Sequence, residues 1–126
     1  HVKAGITIQE LNKVCWSYIN NELKKQLLNK MGKMNRFYKK RPHNVSHLIG
    51  ISVHDGDPYG EYRKQPLEAG MLISNEPGLY GVFELTIKGK HYSEEIGIRI
   101  EDNLLITETG CINLSKNCPK EIEDIK

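Results

Sequence analysis

The chain has 126 residues, the size of one domain with a modest core. Charged residues make up 27% and apolar ones 38%, too apolar for disorder and ordinary for a folded domain. A formal net charge of +2 gives no ground for nucleic acid or a membrane surface as partner.

No apolar run approaches a membrane span, and no charged-then-apolar leader opens the chain. Cys15, Cys111 and Cys118 are odd in number and lack C-x-x-C spacing. A reducing, cytoplasmic setting with buried structural thiols is the expectation.

Thr7 and Glu10 match the T-x-x-E capping box of a helix start. Behind them Leu11, Val14, Cys15, Tyr18, Ile19, Leu23, Leu27 and Met31 recur at helical spacing, and Gly32 offers a stop. The pattern predicts one amphipathic helix of roughly 23 residues, with Trp16 packing against a sheet. Residues 33–41 are polar and basic and end at Pro42. They read as a solvated loop; a nucleic-acid patch of Lys33, Arg36, Lys39, Lys40 and Arg41 around Phe37 and Tyr38 is the alternative.

From residue 46 the pattern turns to strands. SHLIGISVH, GMLISNE, GLYGVFELTI, EIGIRIE and NLLITE are β-branched and aromatic runs bounded by Gly, Pro and Asn. K-G-K at 88–90 predicts a hairpin turn, and the tail NLSKNCPKEIEDIK a short helix or coil. A long helix laid across a curved antiparallel sheet is an α+β arrangement.

His43, His47 and His54 fall within a dozen positions of this region. Imidazole and carboxylate are ligands that manganese, cobalt and zinc accept. Glu76 ends the strand MLISNE, before Pro77-Gly78, and Glu101 ends IGIRIE. Alternation there puts Arg99 and Glu101 on one face and three isoleucines on the other. That face is equally a solvated one, and His47 equally a satisfied core histidine. Spacing alone does not decide. Asp55-Gly56-Asp57 opens like a calcium loop, but Pro66 stands where the closing glutamate belongs, which excludes that reading.

Three ordered segments carry more. H-N-V-S-H-L-I-G-I-S-V-H-D, L-E-A-G-M-L-I-S-N-E-P-G-L-Y and G-I-R-I-E-D-N-L-L-I-T-E-T-G resemble the C-terminal half of the catalytic domain of Xaa-Pro aminopeptidases. These are pita-bread metallopeptidases, a family shared with prolidases and methionine aminopeptidases. The resemblance implies an α+β fold, half of a pita-bread domain, across residues 1–126. It implies cleavage of the N-terminal residue from peptides with proline in second position, using two divalent ions, usually manganese, with cobalt or zinc as substitutes. His47, Glu76 and Glu101 match metal ligands, Glu101 bridging both ions. Glu76 and His54 match catalytic groups; His43, His54, Arg99 and Tyr80 match substrate-binding ones.

The family's metal set also includes a pair of aspartates upstream of V-K-x-G. None of Asp55, Asp57, Asp102 and Asp124 lies in a segment resembling theirs. A chain that is inactive alone is therefore expected, completed by the N-terminal half of the domain and homo-oligomeric in the full enzyme. Prolidase activity and a metal-free binding module are the alternatives. Membrane and nucleic acid are not expected as partners.

Overall fold

The structure, a computed structural model, describes residues 1–29 and 42–125. Helix α1 (Ile8–Asn29) begins at the expected cap. Thr7 Oγ1 accepts the Glu10 N–H at 3.1 Å, and Glu10 Oε2 accepts the Thr7 N–H at 2.8 Å, closing the box in both directions. The continuation to Met31 and Gly32 lies outside the described residues, as does the basic stretch 33–41.

Ile8, Leu11 and Trp16 turn one face of α1 inward, and Asn12 is buried with them. The row 8–12–16 sets the centre of that face. Tyr18, expected on it, sits at its edge and is 66% exposed.

Five antiparallel strands follow: β1 (Leu72–Asn75), β2 (Gly78–Ile87), β3 (Lys90–Arg99), β4 (Asp102–Ile106) and β5 (Cys111–Asn113). They make two sheets, a three-stranded one ordered β1-β4-β5 and the separate hairpin β2-β3. The expected hairpin turn is present: Lys88 and Gly89 both have positive φ, 48° and 80°, the geometry that suits the twist of flanking strands. Side chains of Ile8, Leu11, Trp16, Val45, Leu67, Ile73, Leu104 and Ile106 join in one core cluster between α1 and the three-stranded sheet. The tail after β5 consists of turns, with Ser115 and Lys120 tying it to Asp102 at the start of β4.

The run 46–54 is not a strand, contrary to its sequence pattern. It touches β1 at a single bridge, Leu48 to Ile73, and then folds back on itself through Leu48 and Asp55. Ladder groups are diverted at two points: the His47 N–H goes to the Ser74 hydroxyl at 3.0 Å, and the His47 Nδ1–H donates to the Leu48 carbonyl at 2.9 Å. Ile51 and Val53, left outside any sheet, are exposed. The thiols depart from expectation too: Cys15 is half-buried, but Cys111 and Cys118 are exposed, because a three-residue edge strand and a surface turn offer them no core.

Candidate functional site

Residues 45–49 run beside β1, held by Glu76 N–H to Val45 carbonyl (2.8 Å), Ser74 N–H to His47 carbonyl (2.9 Å) and Ile49 N–H to Leu72 carbonyl (2.9 Å). This lays the histidine segment along the strand that ends in Glu76. Pro77-Gly78 then turns the chain into the hairpin, whose base carries Tyr80 and Arg99. Gly78, Tyr80, Gly97 and Arg99 share one face, since Gly78 pairs with Arg99 and Tyr80 with Gly97. A side chain at Gly78 would collide with the Tyr80 ring, so the glycine lets that ring fold back across the hairpin.

The result is a cleft of about 350 Å³ lined by His43, His47, His54, Glu76 and Arg99, together with Arg63. Tyr80 joins through its hydroxyl, which accepts Arg99 Nε–H at 2.7 Å and donates to His43 Nε2 at 3.2 Å. His43 Nδ1–H is given to the Asn44 carbonyl at 2.6 Å, which holds Nε2 toward the Tyr80 hydroxyl. Trp16 meets that ring edge-on, centroids 5.6 Å apart.

His47 shows the same logic with a different outcome. Its Nδ1–H donates to the Leu48 carbonyl at 2.9 Å, which aims Nε2 at Glu76. Nε2 lies 3.5 Å from Glu76 Oε1, with both side chains nearly buried. A buried carboxylate beside an imidazole nitrogen calls for a positive partner there, a proton or a metal ion. An imidazole nitrogen and a carboxylate oxygen suit manganese, cobalt or zinc. The other Glu76 oxygen lies 3.3 Å from Arg99 Nη1. The Tyr80 hydroxyl beside it raises the Arg99 pKa above the usual value, and Glu76 and Glu101 add to that through charge. His54, exposed at the rim, stacks obliquely on His47 with ring centroids 4.3 Å apart.

Glu101 is the site candidate that the fold leaves apart. It stands on the two-residue link between β3 and β4, exposed and outside the cleft lining. Among the described residues no three His, Cys, Asp or Glu side chains converge on one point. The sequence reading missed Ser74, Ser46 and Arg63. Ser46 Oγ is buried without a hydrogen-bond partner, as is Arg63 Nε. Only the alternation in I-S-N-E, which puts Ser74 on the face of Glu76, hinted at any of them.

A helix-backed antiparallel sheet thus presents histidines against a buried carboxylate. The chain belongs to metallopeptidase family M24, whose model matches residues 1–108. It is 43% identical over 84 residues to an Xaa-Pro aminopeptidase of Haemophilus influenzae, covering 67% of this chain and 19% of that protein. It is 39% identical over 124 residues to the mitochondrial intermediate cleaving peptidase 55 of Arabidopsis thaliana, covering 98% of this chain and 24% of that protein. Among solved structures it superposes on aminopeptidase P from E. coli with the inhibitor Pro-Leu at a TM-score of 0.60 and 32% identity, over 98% of this chain and 29% of that one. The fold is thus part of the pita-bread aminopeptidase fold, as expected. The chain spans 19–24% of the length of these two curated relatives. No helix among the described residues is long and apolar enough to cross a membrane.

Proposed function

We propose that the full-length protein is a metal-dependent aminopeptidase that removes the N-terminal residue from peptides with proline in second position. The observation that carries this reading is His47 Nε2 set against Glu76 Oε1 in a cleft walled by His43, His54 and Arg99. Family membership and the likeness to an Xaa-Pro aminopeptidase support it.

In this reading residues 1–126 are the C-terminal part of the catalytic domain. His47, Glu76 and Glu101 would hold two divalent cations, manganese first, with cobalt or zinc as substitutes; bound there, such ions would supply an activated water and a counter-charge for the scissile carbonyl oxygen. Glu76 takes a proton from water and returns it to the leaving nitrogen. Its carboxylate is held for that task by Arg99 on one oxygen. His54 donates toward the scissile carbonyl oxygen from the rim. His43, held by Tyr80 and Asn44, orients the peptide together with Arg99. Glu101 completes its share once the remainder of the domain packs against the exposed link after β3. The three free thiols support a reducing compartment, cytoplasmic in this reading; the Arabidopsis relative carries a mitochondrial name.

The test is cleavage of an Xaa-Pro-Yaa tripeptide by the full-length protein with manganese. Release of the N-terminal residue is expected, abolished by chelator and in His47→Ala, while residues 1–126 alone are inactive. Cleavage confined to Xaa-Pro dipeptides would favour prolidase. Salt-sensitive binding of nucleic acid or basic protein, with no cleavage, would favour a binding module.

A further inference from the structure

We infer that Ser74 is a positioning residue that sets His47 and Glu76 against each other. Its side chain is fully buried, at 0% exposure, where an apolar residue is the usual occupant. A hydroxyl there has to be bonded to offset its desolvation, and this one is bonded twice. It accepts the His47 N–H at 3.0 Å and donates to Glu76 Oε1 at 3.2 Å. The Ser74 backbone N–H also donates to the His47 carbonyl at 2.9 Å. One residue therefore grips the His47 peptide at both ends and one carboxylate oxygen besides.

The arrangement follows from strand geometry. Ser74 and Glu76, two residues apart in sequence, face the same way at the end of β1, and the histidine segment runs along that side. A regular ladder would have offered the His47 N–H a carbonyl. The hydroxyl takes it instead and links it to the oxygen that faces His47 Nε2. Removing the hydroxyl leaves the His47 N–H without its partner and the carboxylate held by Arg99 at its other oxygen, while leaving both metal-type donors in the chain.

The inference rests on the proposed role of His47 and Glu76 as cation ligands, and the experiment separates the two. Cobalt(II) affinity of the full-length protein is measured by titration calorimetry, with the visible absorption of the cobalt-loaded protein, for the parent, Ser74→Ala, Ser74→Thr, Ser74→Cys, His47→Ala and Glu76→Ala. Thermal midpoints are recorded without metal. Ser74→Ala should weaken cobalt binding roughly 10- to 100-fold and shift the absorption bands, as loss of a group that orients metal ligands does. Ser74→Thr, which keeps the hydroxyl, should restore both. Should Ser74→Ala fail to fold, Ser74→Cys, close in size but a poor donor, carries the comparison and should fall between parent and Glu76→Ala. If Ser74→Ala and Ser74→Cys bind cobalt like the parent while His47→Ala and Glu76→Ala do not, Ser74 has no positioning role and the metal reading stands. If His47→Ala and Glu76→Ala also bind like the parent, the metal reading itself falls, and this inference with it.

Discussion

The Tyr80 hydroxyl serves two partners, taking a hydrogen bond from Arg99 and giving one to His43. Tyr80→Phe deletes both bonds and nothing else of the ring. Hydrogen bonds to charged groups contribute about 1.5–3 kcal/mol. The full-length variant should therefore lose about 10- to 100-fold in kcat/KM on an Xaa-Pro tripeptide, with its urea midpoint little changed. Unaltered kinetics would remove Tyr80 from the working site. Motif residues such as His43, His47, Glu76 and Tyr80 were legible because three segments keep their order and register along the chain. Ser74 was not, because a serine between an isoleucine and an asparagine carries no signal until the strand's neighbour is known. Asn12 escaped for the same reason: buried on α1, it accepts the Val45 N–H at 2.8 Å and donates to Asn44 Oδ1 at 3.1 Å, across more than thirty residues of sequence.

Among the elements, α1 depends on its cap and the turn at Glu61–Lys64 on Asp57. Thr7→Ala removes the hydroxyl that satisfies the Glu10 N–H and should cost about 1 kcal/mol, read as a lower thermal midpoint. The Asp57 carboxylate accepts the backbone N–H groups of Tyr62, Glu61 and Tyr59. The bonds from Tyr62 and Glu61 above all hold its pKa below the usual aspartate value. A lowered folded pKa means that the unfolded chain takes up the proton first as pH falls. The stabilisation is therefore whole above about pH 4 and fades as pH drops through the lower folded value. Exchange protection of the Tyr62 amide should follow that curve and lose it in Asp57→Asn; a flat profile in the parent would contradict the assignment. Strand reading succeeded for β2 and for β3 up to Arg99, on either side of a two-residue turn, but carried β3 on through Ile100 and Glu101, which form the link to β4. It failed for 46–54 because a histidine ring and a serine hydroxyl compete for the backbone groups that a ladder needs, and β5, with three residues, is too short to show a period.

Among the described residues, apolar side chains are buried between α1 and the three-stranded sheet, while the hairpin keeps Ile98 54% and Val82 41% exposed. Stability thus rests on few side chains. Ile73, completely buried at the centre of that cluster, is among the most sensitive. Ile73→Ala should cost roughly 2–5 kcal/mol, against total stabilities of about 5–15 kcal/mol for typical domains. Urea titration should show its midpoint falling steeply, whereas Ile98→Lys on the hairpin should move it little. The α+β class was legible from the order of elements, but the division into two sheets was not, because Pro77-Gly78 reads as a mere strand stop. The hairpin's reach has a practical use. Its tip at Lys88–Gly89 lies about 33 Å along β2 from the Gly78 end, ten residues at about 3.3 Å each. A fluorophore or affinity peptide grafted between those two residues would ride on an arm that joins the three-stranded sheet by no ladder, and would report on the protein from outside its chemistry.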